Sequence, residues 1–308
     1  MTKKLLPVRH PNRDFFIADI LDAVPKGDMG SMEHPLFSLS KKPDMTERHY
    51  EHNGNTLHVI PSGRGLATIW DKDILVYCVS QLVAGINLGR EPSPTLHITA
   101  HDLLTATNRH TGGKNYAQLE EALNRLRGTT INTNLVTGGK ADKRGFGMID
   151  KWRIVERSAT DDRMTAMEIT LSDWLYRAAL SHEVLSLNPD YFRLASGIER
   201  RIYELARKHC GNQARWCVGV ELLHKKSGSR SPLKRFRHQI KRIASSGIMP
   251  DYRIRFDADK DQIVFFNRKG NKAAKAEFDA AMKTIFQPAE KKRKKRKRSS
   301  KSQIELEL

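Results

Sequence analysis

The sequence predicts an α+β fold in which two similar units follow one another along the chain. Two observations lead to this prediction. The first is that one order of elements, a helix, a short strand, two helices and a β-hairpin, can be traced twice. The second is that Asp102-Leu103-Leu104 matches Glu221-Leu222-Leu223 at an offset of 119 residues, while the apolar stripes of the two third helices match at 117. Similar offsets with one element order are typical of an internal repeat.

The composition indicates a protein that binds a polyanion. Its 54 Lys and Arg outnumber its 35 Asp and Glu, which gives the 308-residue chain a formal net charge of +19. The first residues lack the apolar core of a secretory signal, and no stretch reaches the roughly 18 apolar residues of a membrane span. We therefore expect a soluble intracellular protein whose partner is nucleic acid rather than a membrane. Cys78, Cys210 and Cys217 are expected to be buried, reduced thiols, since three cysteines cannot all pair.

Residues 1–62 are punctuated by prolines and predict an N-terminal arm that is partly irregular. The first unit, at 63–186, begins with a helix over 70–85 that has acidic residues at its positive end. A short strand, LHIT, then leads to a helix over AHDLLTATN, which Thr99 can cap.

The third helix of the first unit, KNYAQLEEALNRLRG, ends at Gly128. TTINTNLV at 129–136 and WRIVER at 152–157 predict the two strands of a hairpin around the basic loop KADKRGFG. A strand over MEITL and a helix over SDWLYRAAL close the unit near residue 186.

The second unit, at 187–270, repeats this order. It has a helix over 197–211, a strand and a helix within WCVGVELLHKK, and a hairpin over DYRIRFDADKDQIVFFN. Its third helix, SPLKRFRHQIKRIASSG, has Ser231 as the expected N-cap and Pro232 as the first helical residue. Residues 271–308 predict one more helix and a basic tail, KKRKKRKR, that self-repulsion keeps disordered.

This element order is typical of the winged helix, in which the third helix enters the DNA major groove and the hairpin, or wing, lies along the backbone. The predicted fold is therefore two tandem winged-helix domains.

The third helix of the second unit has an apolar stripe and an otherwise positive surface without any acidic residue. A solvated helix face normally mixes signs, because Glu–Lys pairs one turn apart stabilise it and like charges repel. The uncompensated charge therefore favours contact with DNA. We predict that Lys234, His238 and Lys241 reach base edges. Phosphate contacts are predicted for Arg235, Arg237, Arg242, Arg253, Arg255 and Lys260.

The corresponding helix of the first unit carries outward residues of mixed sign. Lys114, Asn115, Gln118 and Arg125 are candidates for DNA contact, but a solvated or protein-facing surface explains them equally well. In the hairpin loop, Lys140, Lys143 and Arg144 are predicted to meet phosphates.

Sequence patterns of catalysis and metal binding are not found. TGGKN and TGGKA lack the spacing of a nucleotide-binding P-loop, and no His-X-His triplet accompanies a nucleophilic Tyr. His97 and His101 straddle a strand-to-helix junction, and His209, Cys210 and Cys217 lack a fourth ligand at zinc-finger spacing. We therefore predict no cofactor, no metal, and neither ATP hydrolysis nor DNA nicking.

Three phrases, MEHPLFSLSKKPD, ATIWDKDILVYCVSQL and FRLASGIERRIYELARK, carry a resemblance over residues 30–285. The chain resembles the replication initiator protein A family of bacterial plasmids, relatives of the iteron-binding initiators with two winged-helix domains. The resemblance implies binding to origin repeats, local melting, and recruitment of host replication proteins such as a helicase or the bacterial initiator. It also implies a homodimer formed through the first domain, autorepression, and a cytoplasmic location on plasmid or nucleoid. A tandem winged-helix transcriptional regulator stays open as the alternative, because it needs the same DNA-reading surface.

Overall fold

A computed structural model describes residues 23–141, 144–157, 164–269 and 276. The fold is mixed α/β, with helices packed on small antiparallel sheets. Within these ranges no helix has both the length and the apolar character needed to cross a membrane. The predicted basic tail at 291–298 lies outside the described residues, as does all but residue 276 of the helix predicted over 271–286.

The described part of the N-terminal segment is more regular than its prolines predict. It contains β1 (Lys26–Asp28), α1 (Met29–Glu33), β2 (Arg48–His52) and β3 (Asn55–Ile60). β2 and β3 form a hairpin joined by the two-residue turn Asn53–Gly54, in which φ is 50° and 75°. Asn-Gly favours this turn because both residues tolerate positive φ, and the dipeptide is a hairpin signal that the proline spacing obscured.

The first unit keeps the predicted helices. Its elements are α2 (Lys72–Asn87), β4 (Thr95–Thr99), α3 (Ala100–Ala106), α4 (Gly113–Gly128), β5 (Thr130–Thr133), β6 (Val136–Thr137), β7 (Lys140–Ala141), β8 (Arg144–Phe146), β9 (Ile149–Arg157), β10 (Met164–Leu171), α5 (Asp173–Leu180) and β11 (Val184–Ser186). Thr99 is the N-cap of α3, since its side chain accepts a 3.0 Å hydrogen bond from the Asp102 amide. β11 pairs with β1, which ties the end of this unit to the N-terminal segment.

The predicted pairing of 129–136 with 152–157 is wrong. β5 pairs with β3 and β8 in a sheet of order β2-β3-β5-β8, whereas β9 belongs to a second sheet of order β4-β10-β9. The chain passes from one sheet to the other at Gly147 and Met148. A Cβ atom on Gly147 would lie 2.6 Å from the Arg127 carbonyl oxygen, and the Met148 amide donates to Leu126. Lys140 and Arg144 therefore lie in β7 and β8 rather than in the predicted loop.

The second unit follows a short 3-10 helix at Pro189–Arg193. Its elements are α6 (Gly197–His209), β12 (Arg215–Gly219), α7 (Val220–Ser227), α8 (Leu233–Ser246), β13 (Tyr252–Asp257) and β14 (Gln262–Asn267). The sheet order is β12-β14-β13, the same arrangement as β4-β10-β9. Both units thus place the strand after their first helix beside the last strand of their hairpin.

Two details of the second unit differ from the sequence predictions. Pro232, not Ser231, is the N-cap of α8, because its carbonyl accepts the hydrogen bond from the Phe236 amide. Cys217 is exposed, while Cys78 and Cys210 are buried as expected. Burial raises the pKa of the Cys78 thiol to about 12, so this residue stays protonated and inert at neutral pH.

The two hydrophobic cores meet at the junction of the units. One core extends from Leu36 to Ala179, and the other is built mainly from residues 187–265. Met32 of α1 and Val76 of α2 belong to the second core and are almost completely buried. Burial of such a side chain stabilises the fold by about 1.5–3 kcal/mol. The second unit therefore draws part of its core from the preceding chain.

Candidate nucleic-acid interface

The helix α8 presents a row of basic side chains to solvent. Phe236, Ile240 and Ile243 are buried and fix the rotation of the helix about its axis. The side chains on the other side are Lys234, Arg235, His238, Lys241 and Arg242, all exposed. Gly247 ends the helix with φ at 65°, a conformation that glycine adopts without steric cost. The predicted exposure of these five residues is thus seen in the fold.

Arg237 differs from the other basic residues of α8. Its Nε and one terminal nitrogen donate to the two carboxylate oxygens of Asp261, at 2.8 and 2.7 Å. These hydrogen bonds lower the pKa of Asp261 and raise that of Arg237. Asp261 lies in the turn between β13 and β14, so this bidentate pair fixes the hairpin turn relative to α8. The guanidinium that the sequence assigned to a phosphate therefore has an acidic partner in the protein, while 31% of its side chain stays exposed.

A second contact joins α8 to the hairpin. The Lys241 ammonium lies 4.4 Å from the centre of the Phe256 ring, a distance suited to cation–π attraction. On the same strand, Arg255 donates to Asp257 at 3.2 Å. Lys260 is exposed in the turn and Arg253 is half-buried on β13. The hairpin that packs against α8 thus carries further basic residues, although Asp257 pairs with one of them.

The loop before α8 adds residues that the sequence did not single out. A cavity of about 390 Å³ lies at the start of the helix, lined by Ser229, Arg230, Ser231 and Arg235 together with residues near Asp44. Arg230 contacts Asp44 and Thr46 at 3.0 Å, although 62% of its side chain stays exposed. The signal available in the sequence was the position of Arg230, two residues before the N-cap Pro232 of the charged helix.

The polar face of α4 carries an arginine that pairs with an acidic residue of the same unit. Arg125 donates to both carboxylate oxygens of Asp71, at 2.7 and 2.8 Å, and these bonds raise the pKa of the guanidinium. Arg125, Asn115 and Gln118 line a cavity of about 530 Å³ where the two units meet. Lys114 is exposed at the first turn. Part of the polar face of α4 is therefore occupied by contacts within the protein.

The remaining candidates belong to the β6–β8 segment. Lys140 lies in β7 and Arg144 in β8, and the backbone pairs them with Thr137 and Thr133. Lys143 lies outside the described residues. The second-unit candidates thus lie on α8 and on the hairpin that packs against it, whereas the described first-unit candidates are divided between α4 and the strands β7 and β8.

Buried charges connect the first helices of the two units. Lys72 of α2 lies 2.8 Å from Glu204 of α6, and Asp73 lies 2.6 Å from Arg200. The Tyr191 hydroxyl also donates to Glu204, at 2.8 Å. All four charged side chains are at least 95% buried, so each needs its partner to offset the loss of hydration. This network holds α2 and α6 in one relative orientation.

Arg201 extends the network to the N-terminal segment. Its guanidinium donates to the carbonyl oxygens of Ser31, Met32, Glu33 and Lys226, and to the Glu204 carboxylate at 3.2 Å. One buried side chain thus links α1, α6 and α7. This arginine belongs to FRLASGIERRIYELARK, one of the three segments that carried the sequence resemblance.

Residues 26–254 match the sequence profile of a family described as Replication initiator protein A. The chain belongs to this family. The initiator is also 39% identical over 259 residues to a "Putative replication protein" of Wigglesworthia glossinidia brevipalpis, with 83% of this chain and 94% of that protein covered. The family expected from the sequence is thereby confirmed.

Solved structures similar to the initiator include two of RctB. The structure of domains 2 and 3 from selenomethionine protein has a TM-score of 0.56 at 10% identity and covers 76% of this chain and 94% of that one. A second structure of these domains has a TM-score of 0.54 at 11% identity and covers 77% and 96%. At such identities the likeness concerns the fold alone.

Proposed function

We propose that this replication initiator binds repeated sequences in a plasmid origin through two winged-helix units, at 63–186 and 187–270. In this proposal α8 enters the major groove and the β13–β14 hairpin lies along the backbone. The observation that carries it is the row of five exposed basic side chains on α8, a helix with no acidic residue. Their mutual repulsion is relieved when they face phosphates or guanine edges.

The roles of individual residues follow from their positions. Base-edge contacts are assigned to Lys234, His238 and Lys241, which are exposed on α8. Phosphate contacts are assigned to Arg235, Arg242, Arg253, Arg255 and Lys260, with Arg230 added from the loop. Arg237 acts indirectly, because its pair with Asp261 positions the hairpin turn.

The first unit makes the weaker DNA contacts in this proposal. Lys114, Asn115 and Gln118 are its candidates on α4, and Lys140, Lys143 and Arg144 are candidates for phosphate contact. Arg125 supports α4 through Asp71. The resemblance supports an additional role of this unit in dimerisation and autorepression.

The mechanism uses binding free energy without covalent chemistry. Because the buried junction fixes the two units relative to one another, DNA that contacts both must adapt its path. Bending a site costs about 1–6 kcal/mol, which the added phosphate contacts offset. Strain of this kind on adjacent repeats favours opening of neighbouring duplex, where host replication proteins such as a helicase are recruited.

A footprint on the DNA that flanks the gene tests the DNA-binding proposal. The expected result is protection of several evenly spaced repeats. A Lys234→Glu/Lys241→Glu variant should lose this protection, while a Lys114→Glu/Arg127→Glu variant, with the same charge change on α4, should retain most of it. Equal protection of unrelated DNA by the unchanged protein would contradict the proposal.

Replication itself needs a separate test. A plasmid that carries only this gene and its flanking repeats should replicate in a bacterial host, whereas a transcriptional regulator with the same repeats would repress without supporting replication. Incubation with supercoiled origin DNA, Mg²⁺ and ATP should yield neither nicked DNA nor hydrolysed nucleotide. Nicked product joined covalently to the protein would identify an enzyme instead.

A further inference from the structure

The β2–β3 hairpin carries two histidines that face each other across the strands. His49 and His58 are register partners, and their rings stack with centroids 4.0 Å apart at 18°. Glu47, two residues before His49, reaches the same spot. One of its carboxylate oxygens lies 2.7 Å from His58 Nε2 and 3.9 Å from His49 Nε2. Three groups capable of binding a metal thus converge on one exposed face.

The spacing of these groups suits a transition-metal ion. Within residues 23–141, 144–157 and 164–269 they form the one set of three His, Cys, Asp or Glu residues whose ligand atoms all lie within 4.8 Å of one another. Zinc bonds of about 2.0–2.1 Å in tetrahedral geometry place ligand atoms about 3.4 Å apart. The contacts of 2.7 and 3.9 Å that Glu47 makes with the two imidazoles bracket this value, so side-chain rotations that turn the stacked rings toward one point bring the ligand atoms to it.

The hairpin backbone holds the ligands in place before any ion arrives. The positive-φ turn at Asn53–Gly54 sets the register that places His49 opposite His58. Asn134 secures the turn, since it accepts from the Thr56 amide and donates to the Gly54 carbonyl, each at 2.8 Å. Pairing of β3 with β5 fixes the other edge. Little ordering free energy is then lost when an ion binds.

We propose that Glu47, His49 and His58 bind a divalent transition-metal ion of the zinc class on the β2–β3 hairpin. Imidazole and carboxylate are the ligands that zinc shares with its neighbours in the first row. Without metal, a hydrogen bond joins Glu47 to His58 Nε2; an ion bound at that nitrogen breaks this bond, and any proton on the nitrogen moves to Nδ1 or to solvent. The side chains of His49 and Glu47 are 72% and 53% exposed, so water completes the coordination. The bound ion cross-links the edge strand β2 to β3.

The hairpin offers a matched control. His52 lies on the same strand, but an odd number of residues from His49, so the alternation of a strand places it on the opposite face. Its ring lies beside Tyr50, with centroids 6.3 Å apart. His52→Ala therefore removes one histidine from the hairpin without touching the proposed ligands.

Titration of the metal-free full chain with Co²⁺, followed by its visible absorption and by competition with Zn²⁺, tests the proposal. The unchanged protein and His52→Ala should each bind one equivalent at this site, and Zn²⁺ should raise their Tm. His49→Ala and His58→Ala should weaken binding at least tenfold and lose the Tm shift, and Glu47→Gln should weaken binding as well. Circular dichroism of the metal-free variants checks that the fold is retained.

Two results would overturn the site. One is the same stoichiometry and affinity in a His49→Ala/His58→Ala double variant, which would place any bound ion elsewhere. The other is an unchanged spectrum when Co²⁺ is added in excess to the unchanged protein.

Discussion

The ammonium of Lys72 lies 2.8 Å from the carboxylate of Glu204, and each side chain is only about 1% exposed. The pair joins α2 of the first unit to α6 of the second, and Asp73 with Arg200 forms a parallel link. Two helices that begin similar units thus face each other through compensated charges. Loss of one partner leaves the other charge buried without compensation.

Lys72→Met is expected to lower the free energy of unfolding by about 3–5 kcal/mol, because Glu204 then stays buried and unpaired. Urea denaturation of the purified protein measures this change. A Lys72→Met/Glu204→Met variant should recover part of the loss, since it removes both charges. Arg64→Met breaks an exposed pair with Glu121 and should cost less than about 1 kcal/mol. Equal losses in the buried and exposed cases would show that the junction network is not structural.

Substitutions on α8 should separate base contacts from phosphate contacts. Lys234→Ala and Lys241→Ala are expected to reduce the preference for the repeat over unrelated DNA by about 1–3 kcal/mol, because a base-edge contact is lost. Arg253→Ala should weaken binding to all sequences and lower the slope of log affinity against log salt by about 0.9. Electrophoretic or anisotropy titrations at several salt concentrations measure both effects. Unchanged affinity in Lys234→Glu would rule out the placement of α8 against DNA.

The pair between Arg237 and Asp261 gives a prediction opposite to that of simple electrostatics. Asp261→Asn removes a negative charge from the proposed DNA surface, yet it is expected to weaken binding because the bidentate contact that positions the hairpin is lost. Asp259→Asn, an equal charge change at an exposed position of the same turn, should leave affinity unchanged or raise it. Titrations of DNA with each variant measure the change in affinity. If Asp261→Asn binds more tightly, the carboxylate acts only by repelling DNA.

Buried His34 should make the fold sensitive to mild acid. The pKa of its imidazole is lowered from 6.5 to about 4, chiefly because of burial; Glu33 opposes this shift, and the neighbouring cations Arg201, Lys226 and Lys208 add to it. Between these values the unfolded chain binds the extra proton, so the free energy of unfolding falls as pH falls. The slope is up to about 1.4 kcal/mol per pH unit.

His34→Gln should therefore flatten the decline in stability between pH 7 and pH 5, as measured by urea denaturation at both values. His209, whose pKa burial also lowers, keeps a smaller slope in the variant. Identical slopes for the two proteins would mean that His34 titrates normally in the folded chain.

Much of the fold could be predicted because local signals suffice for helices. The apolar stripe of α8 and the cap at Thr99 each depend on residues within one or two turns. Strand partners depend on distant residues. Alternation shows which side chains of β5 face the core, but it does not show that the neighbours are β3 and β8 rather than β9.

The same reason explains the limits of the site prediction. The exposed row on α8 followed from its helical spacing alone. The pairing of Arg237 with Asp261, 24 residues away, and of Arg125 with Asp71, 54 residues away, requires the tertiary fold. The convergence of His49 and His58 likewise requires the hairpin register, although Asn53–Gly54 was a sufficient sequence signal for the turn.

Met32 and Val76 lie in the core of the second unit, and this limits which segments can be exchanged between related proteins. A fragment that begins at residue 187 would leave an apolar hole where these two side chains pack, and the Arg201 guanidinium would lose the carbonyl groups of α1. The second unit is therefore not an independent module. A graft of new specificity from a relative has to carry α1 and the facing surface of α2 with it, or confine itself to the outer residues of α8.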